Sequence, residues 1–231
     1  MAIGLPGNTI RINCRAILFD MDGTLLDSSG AARRAWQWWT TQHGIPLEPI
    51  LAVENGRPDR EVIRQFASHL NIDLEAARLL TFEENDREDL VPVTGAIDIT
   101  AAAQEGLWTI VTSSNRSLAE IRLRACGLPI PEVFITADMI SRGKPDPECY
   151  LLAARALKVQ PHECVVFEDS PAGISAARAA GMPVVGVLTT SKRSDLSTSF
   201  HISDFRDVAI SHRDRVFEVC LNLACEGRSV P

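Results

Sequence analysis

Four short apolar segments, each followed by polar residues, constrain the fold of this chain more than any other feature of its sequence. They occupy residues 15–19, 107–111, 164–167 and 183–188. Uninterrupted apolar runs of this length are typical of strands that are buried on both faces of a parallel sheet. Helical patterns at 118–126, 147–157 and 172–180 separate them, and Gly127 and Gly181 mark the ends of two of these helices.

Strands that alternate with helices predict an α/β protein with a doubly wound, mainly parallel sheet, the Rossmann-like arrangement. Residues 28–91 depart from this alternation and are too many for one crossover helix. The helical patterns of this stretch lie at 31–43, 59–70 and 74–90. We therefore expect a helical domain, residues 28–91, inserted into an α/β core of residues 1–27 and 92–231. A last helix is predicted at 213–224.

The charge balance and the cysteine pattern exclude several classes of function. Thirty acidic side chains against 23 Lys and Arg give a net charge of −7, which argues against a nucleic-acid partner. There is no apolar stretch of ~18 residues and no signal-peptide pattern, so we expect a cytoplasmic protein without a membrane partner. The six cysteines form no CxxC pair, which predicts reduced, mostly buried thiols. We expect a monomer, with a homodimer as the alternative.

Acidic and hydroxyl side chains follow the predicted strands. Asp20 and Asp22 come after the first strand, Thr112 after the second, and Glu168 and Asp169 after the third. Ligands of open α/β sheets bind outside the carboxyl ends of the strands, so these side chains are expected to meet. A single carboxylate there is most simply a helix or turn cap, but four together would repel one another. A divalent cation removes that repulsion, and ligation by oxygen alone favours Mg²⁺.

Four motifs resemble those of the haloacid dehalogenase-like hydrolases, in the same order. Residues 20–28 (DMDGTLLDS) resemble the first motif and residues 111–113 (VTS) the second. Residues 144–145 (KP) resemble the third motif and residues 167–173 (FEDSPAG) the fourth. The resemblance covers about residues 14–190, and the insertion is similar to the α-helical cap of subfamily I. Within the family the chain most resembles the sugar and polyol phosphate phosphatases and the β-phosphoglucomutase branch.

The resemblance implies a catalytic role for five groups. Asp20 is expected to be the nucleophile that becomes an aspartyl phosphate, and Asp22 the general acid and base. Thr112 and the main-chain amide of Ser113 are expected to hold the phosphoryl oxygens. Lys144 is expected to place a positive charge beside the phosphoryl group and the nucleophile.

The same resemblance implies a set of metal ligands. Asp20 and Asp169 are expected to bind Mg²⁺ through their carboxylates, and Asp22 through its main-chain carbonyl. Glu168 is expected to act through a water molecule or a second layer of contacts.

Further residues are expected to contact the substrate or to pack inside the insertion. The expected substrate contacts are Ser113, Asn115 and, in the loop that faces the site, Arg57. Arg60 is the alternative to Arg57, because another branch of the family places its Arg there. The tryptophans Trp36, Trp38 and Trp39 are predicted to form the core of the insertion rather than a platform for a sugar.

The motifs also separate the reactions that this family performs. Asp22 disfavours a dehalogenase, which lacks the second Asp, and the absence of Lys from residues 31–91 disfavours a phosphonatase. Ala32 stands where the mutase branch carries a His. We therefore expect a Mg²⁺-dependent phosphomonoesterase for a small phosphorylated metabolite, namely a sugar or polyol phosphate. A phosphosugar mutase and a catalytically silent regulatory relative are the alternatives, and phosphoglycolate or a nucleotide remains open as the substrate.

Overall fold

The computed structural model describes residues 8–223. Its strands are β1 (Asn8–Cys14), β2 (Ala16–Phe19), β3 (Leu26–Asp27), β4 (Val91–Pro92), β5 (Leu107–Val111), β6 (Phe134–Ile135), β7 (Cys164–Glu168), β8 (Val184–Val187), β9 (Phe200–Ile202), β10 (Val208–Arg213) and β11 (Val216–Leu223). Its α-helices are α1 (Ser29–His43), α2 (Glu48–Leu51), α3 (Asp59–Phe66), α4 (Ile72–Asn85), α5 (Ala96–Ala103), α6 (Arg116–Ala125), α7 (Glu148–Ala156) and α8 (Pro171–Ala179).

A six-stranded parallel sheet forms the centre of the molecule, in the order β6-β5-β2-β7-β8-β9. The strand β2 lies between β5 and β7, and all four of its side chains are buried. Ile17 and Phe19 pack into one hydrophobic cluster, whereas Ala16 and Leu18 pack into a second cluster. Both faces of the sheet are therefore covered, which confirms the predicted doubly wound α/β fold.

The helices α1 to α4, here called the cap helices, lie between β3 and β4 in the chain and have a hydrophobic cluster of their own. Trp36 and Trp39 are buried at its centre with ring centroids 5.7 Å apart, and Trp38 stacks on Phe82 at 5.0 Å. The prediction that these tryptophans are core residues is confirmed for Trp36 and Trp39, whereas Trp38 is partly buried and packs against the cluster. The strands β3 and β4 pair antiparallel, so the two connections to the cap helices lie side by side.

The prediction of a last helix at 213–224 is wrong. The strands β10 and β11 form an antiparallel hairpin, which pairs with β1 in a second sheet of order β1-β11-β10. Phe217, Val219 and Leu221 are buried, so the apolar side chains recur with the period of two of a strand. Asp214 and Arg215 have φ of 52° and 64° and form the tight turn. Residue 224 lies outside the described residues.

The cysteines are unpaired, as the sequence predicts, among residues 8–223. Four of them are buried and Cys220 is partly exposed, whereas Cys225 lies outside this range. Within the same range, no helix has both the length and the apolar character that crossing a membrane requires.

Candidate active site

The carboxyl ends of three neighbouring strands bring the predicted residues together. Asp20 follows β2, Thr112 follows β5, and Asp169 follows β7. The main-chain N–H of Asp20 donates to Phe167 at 3.0 Å, and that of Thr112 donates to Ile135 at 3.0 Å. These bonds extend the parallel ladders to the strand ends, and so the polar side chains meet at one edge of the sheet, as the topology predicts.

Three buried carboxylates and one buried ammonium group form the centre of this site. Asp20, Glu168 and Asp169 each place one carboxylate oxygen within 4.8 Å of the other two. Lys144 Nζ lies 2.6 Å from Asp20 Oδ1 and 2.6 Å from Glu168 Oε1. Three negative charges against one positive charge leave an excess of two, which is the charge of one divalent cation. The donor set consists of oxygen atoms, which suits Mg²⁺.

The protonation behaviour of these groups reflects the shortage of positive charge. Burial raises the pKa of Asp20 well above its usual value, although the charge of Lys144 opposes this shift. Burial and the charge of Glu168 raise the pKa of Asp169 to about 7. Burial by itself lowers the pKa of Lys144, but attraction to Asp20 and Glu168 outweighs it and the pKa rises. A further cation would stabilise the ionised form of both Asp side chains.

Close packing holds the carboxylate of Asp169 in place. Thr24 Oγ1 donates to its Oδ1 at 3.3 Å, and Asn55 Nδ2 donates to its Oδ2 at 3.2 Å. Thr190 also donates to Oδ2. A Cβ atom at Gly23 would lie 2.1 Å from Oδ2, so glycine is needed for the main chain to approach this carboxylate. The metal-binding hypothesis is consistent with this fixed, buried oxygen.

Glu168 is held by contacts to both of its carboxylate oxygens. Its Oε1 accepts from Lys144 and from Tyr150 Oη at 3.2 Å, while its Oε2 accepts from Ser170 N at 2.8 Å and Ser170 Oγ at 3.0 Å. A Cβ atom at Gly173 would lie 1.5 Å from Oε1. The arrangement fixes the position of Lys144 beside Asp20. Sequence reasoning did not find Tyr150, because its role depends on the packing of α7 against β5 and β6.

The carboxylate of Asp22 points to a different set of partners. Its Oδ1 accepts from Ser28 Oγ at 2.7 Å and from Arg122 Nη1 at 2.8 Å, and its Oδ2 accepts from Ser114 Oγ at 3.0 Å. Thr112 Oγ1 lies 3.5 Å from Oδ2. Its side chain is 24% exposed, whereas that of Asp20 is 6% exposed. Both oxygens of Asp22 therefore accept hydrogen bonds, and its side chain lies at the cavity beside Asp20 without joining the group of Asp20, Glu168 and Asp169.

Arg122 is a functional candidate that sequence reasoning missed. It lies on α6 and is buried, and its Nη2 donates to Glu83 Oε1 of α4 at 3.0 Å. The buried residues of α6 include Leu118, Ala119, Arg122 and Leu123. These residues lie on one face of the helix. An Arg on an otherwise apolar helix face was the sequence signal that could have identified Arg122.

The predicted phosphate-binding residues lie around the same strand end. Thr112 Oγ1 accepts from the N–H of Ser114 at 3.0 Å, and Ser113 Oγ donates to the carbonyl of Gly56 at 2.7 Å. The latter bond joins the core to the loop between α2 and α3. Asn115 precedes α6 and lies on a neighbouring cleft of about 700 Å³, so the structure does not bring it into the cavity beside Asp20.

The cavity beside Asp20 has a volume of about 220 Å³ and lies between the sheet edge and the cap helices. Arg57 lines it and donates to Gln65 at 2.9 Å. Arg60 instead pairs with Asp73 and lines the neighbouring cleft. Of the two candidate arginines, the geometry therefore favours Arg57. Ala32, where the resemblance predicts a His in a mutase, also lines the cavity.

Comparisons with known proteins agree with the motifs. A family model described as haloacid dehalogenase-like hydrolase matches residues 14–181. Hexitol phosphatase A of Escherichia coli (strain K12) is 41% identical over 181 residues, which cover 76% of this chain and 84% of that protein. Validoxylamine A 7'-phosphate phosphatase of Streptomyces hygroscopicus subsp. limoneus is 40% identical over 185 residues, covering 76% of this chain and 86% of that protein.

Solved structures show the same architecture. CbbY from Rhodobacter sphaeroides, in complex with phosphate, superposes with a TM-score of 0.72 at 26% identity, covering 83% of this chain and 95% of that chain. A putative β-phosphoglucomutase from Thermotoga maritima superposes with a TM-score of 0.58 at 26% identity, covering 81% of this chain and 93% of that chain. The sheet, the cap helices and the match over residues 14–181 lead to one conclusion: the chain belongs to the haloacid dehalogenase-like hydrolases.

Proposed function

We propose that the chain is a Mg²⁺-dependent phosphomonoesterase that hydrolyses a small sugar or polyol phosphate through an aspartyl phosphate on Asp20. The observation that carries this proposal is the pairing of Asp20 with Lys144 at 2.6 Å beside Glu168 and Asp169, next to a small cavity. The similarity to a hexitol phosphatase and to a validoxylamine A 7'-phosphate phosphatase supports the substrate class.

In the first step, a carboxylate oxygen of Asp20 forms a bond to phosphorus while the bond from phosphorus to the alcohol oxygen breaks. The leaving oxygen takes a proton from the carboxyl group of Asp22. Lys144, Thr112 and the amide of Ser113 hold the phosphoryl oxygens as their charge redistributes.

In the second step, a water molecule gives a proton to Asp22 and attacks phosphorus, which releases phosphate and regenerates Asp20. The residues proposed to bind Mg²⁺ are Asp20, Asp169 and the main-chain carbonyl of Asp22, with Glu168 behind them. When bound there, Mg²⁺ supplies positive charge that offsets the repulsion between the nucleophile and the phosphoryl group.

We also propose that residues 28–91 act as a lid on a core formed by residues 1–27 and 92–231. The paired strands β3 and β4 are the hinge in this proposal. Two contacts support it: Ser113 Oγ donates to Gly56 of the lid, and Asn55 of the lid donates to Asp169 of the core. Closure excludes water during the first step and brings the lid against the leaving alcohol.

The test is phosphate release from a panel of small phosphoesters with Mg²⁺ and with EDTA, beside isomerisation of β-glucose 1-phosphate. We expect metal-dependent release from sugar or polyol phosphates, and a loss of about 10³-fold or more in Asp20→Asn. Asp98→Asn, at an exposed position of α5 that does not line the cavity, is the control that retains activity. Isomerisation without phosphate release would show a phosphosugar mutase instead. No activity in either assay would favour a regulatory relative without catalysis.

A further inference from the structure

The main chain directly before Lys144 is bonded to a carboxylate of the cap helices that the proposed chemistry does not use. The N–H of Gly143 donates to Oε1 of Glu61 at 2.8 Å. Glu61 lies in the first turn of α3, whereas Gly143 belongs to the core and is buried. One carboxylate of the cap helices therefore reaches the segment that carries the ammonium group of the site.

The two residues before Gly143 find their acceptors within the core. The N–H groups of Ser141 and Arg142 each donate to the carboxylate of Glu148, on α7, at 2.9 Å. Of these three consecutive hydrogen bonds, the one from Gly143 crosses from the core to the cap helices. A buried N–H group needs an acceptor, so the position of this segment depends on α3 as well as on α7.

Close packing at Gly143 supports the same contact. A Cβ atom at Gly143 would lie 2.3 Å from Cδ of Pro58 and 3.0 Å from Oε1 of Glu61. Pro58 directly precedes α3, so the start of this helix rests on the main chain of the glycine, where a side chain has no room. Both partners of Gly143 lie within residues 28–91, and the contact therefore forms when the proposed lid lies against the core.

The second oxygen of Glu61 faces Arg57. Its Oε2 lies 3.9 Å from Arg57 Nη2, and the side chains of Glu61 and Arg57 are 27% and 22% exposed. An ion pair this long and this accessible to solvent contributes little. A hydrogen bond from a main-chain amide to an ionised carboxylate is stronger, so the bond to Gly143 is the more important of the two contacts.

We propose that Glu61 is a positioning residue for Lys144. Its carboxylate holds the main chain of Gly143, and the next residue, Lys144, then extends its ammonium group to a fixed place beside Asp20. This inference rests on the proposed function, in which Lys144 holds the phosphoryl group. Because small displacements of a catalytic group slow a reaction markedly, the alignment of Lys144 depends on the contact between α3 and the core.

Hydrogen exchange of single amides, followed by NMR on the metal-free protein, tests the contact. In Glu61→Ala we expect the Gly143 amide to exchange ~10-fold faster or more, while the Arg142 amide keeps its rate. Glu148→Ala is the reciprocal variant, in which the Arg142 amide is expected to exchange faster and the Gly143 amide to keep its rate. Unchanged exchange of Gly143 in Glu61→Ala would overturn the inference.

Steady-state kinetics test the positioning role. Glu61→Ala is expected to lower kcat by ~10-fold and to change KM less, because the ammonium group is displaced while the cavity remains. Glu61→Gln keeps an oxygen that accepts from Gly143 and is expected to restore kcat to within about threefold of the wild type. A wild-type kcat in Glu61→Ala, or equal losses in both Glu61 variants, would overturn the role.

Asp73→Ala is the matched control. Asp73 is exposed and lines the same cleft of about 700 Å³ as Glu61, but it pairs with Arg60 inside the cap helices rather than with the core. We expect this variant to retain kcat. A loss equal to that of Glu61→Ala would mean that any carboxylate removed from this cleft has the effect, which would overturn the inference.

A double-mutant cycle shows whether Glu61 acts through Lys144. In the Lys144→Met background, Glu61→Ala is expected to change kcat by less than about twofold, because the group that it aligns is already absent. The same loss in both backgrounds would overturn the inference. Release of no phosphate by the wild-type protein would overturn the proposed function alone, since the exchange rate of the Gly143 amide tests the contact without turnover.

Discussion

Arg122 Nη1 donates to Asp22 Oδ1 at 2.8 Å, which ties the helix α6 to the turn that follows Asp20. The same guanidinium donates from Nη2 to Glu83 Oε1 at 3.0 Å. The side chain of Arg122 is 6% exposed, so one buried cation neutralises a carboxylate of the core and another of the cap helices. Since a buried carboxylate is costly unless it is paired, Arg122 is a positioning residue for Asp22 and also fixes how α4 lies against the core.

We expect Arg122→Met to lower the free energy of unfolding by about 3–5 kcal/mol, because removing one partner leaves buried charges without compensation. Arg122→Lys is expected to restore part of this loss and to reduce kcat more than it changes KM, since Lys lacks the planar fork that reaches two carboxylates. Urea denaturation and steady-state kinetics measure the two effects.

The matched control for Arg122 lies on the same helix. Arg124 is exposed and pairs with Glu120 at the surface, so Arg124→Met is expected to change the free energy of unfolding by less than about 0.5 kcal/mol. Equal stabilities of the Arg122 and Arg124 variants would contradict the role assigned to the buried ion pair.

Four of the six strands of the central sheet were predictable because their signals are local. The strands β2, β7 and β8 are buried throughout, β5 is buried from Thr109 onward, and the order of strands and helices allows few topologies. The short edge strands β6 and β9 were not predicted. The hairpin of β10 and β11 was not predicted, because its stability depends on a partner far away in sequence: Asn8 pairs with Leu223, and Cys14 with Phe217. A local pattern of mixed residues cannot report a pairing across the whole length of the chain.

Some residues of the candidate site were likewise predictable from local signals, and others were not. Asp20, Thr112 and Asp169 directly follow strands, so the topology alone placed them at one edge of the sheet. Arg122 and Tyr150 act from the buried faces of helices, and their partners depend on how each helix packs. The contact of Glu83 with Arg122 depends on how α4 docks against the core, which no local pattern fixes.

Gly23→Ala tests whether the close approach of the main chain to Asp169 is required. Gly23 has φ of 81°, and its Cβ would lie 2.1 Å from Asp169 Oδ2. We expect the variant to displace this carboxylate and to raise the Mg²⁺ concentration needed for half-maximal activity by ~10-fold or more. The proposed site predicts that Mg²⁺ raises the melting temperature of the wild type, and this rise is expected to be smaller in the variant. Activity titrations and thermal unfolding with and without Mg²⁺ provide the two readouts.

Gly127→Ala is the control that separates the strain of a positive φ from the steric clash with Asp169. Gly127 has φ of 67°, but a Cβ atom there would meet nothing within 4 Å. Gly127→Ala is expected to cost about 1–2 kcal/mol in the free energy of unfolding, as for other residues in the left-handed region, without changing the Mg²⁺ requirement. If both variants lost Mg²⁺ affinity equally, the packing against Asp169 would not be the cause.

Lys144→Met is expected to reduce kcat/KM by about 10²–10³-fold, because the variant lacks the ammonium group that pairs with Asp20 and that we propose to hold the phosphoryl group. Burial already raises the pKa of Asp20, and without Lys144 the shift would be larger, so less of the proposed nucleophile would be ionised. Lys192→Met, at an exposed position, is the control. A Lys144 variant with kcat/KM within threefold of the wild type would remove Lys144 from the proposed reaction.

The pH dependence of stability tests the ionisation of Glu54, which lines the cavity beside Asp20. Burial is the main cause that raises the pKa of Glu54 from 4.5 to about 7; the charges of Glu83, Asp22 and Asp169 add to the shift, and Arg122 opposes it. The folded protein therefore keeps the proton of Glu54 up to about pH 7, whereas the unfolded chain releases it near pH 4.5. The contribution of this group to stability is present below pH 4.5 and is lost as the pH rises to about 7.

Gln cannot ionise, so Glu54→Gln does not lose stability through this group as the pH rises. Relative to the wild type, its free energy of unfolding is expected to increase by on the order of 1–3 kcal/mol between pH 5 and pH 8. Urea denaturation without Mg²⁺ at pH 5, 6, 7 and 8 measures the difference. Glu48→Gln, at an exposed surface position paired with Arg33, is expected to follow the wild type at all four pH values. A difference between Glu54→Gln and the wild type that does not change with pH would mean that Glu54 is ionised in the folded protein across this range, so burial would not raise its pKa.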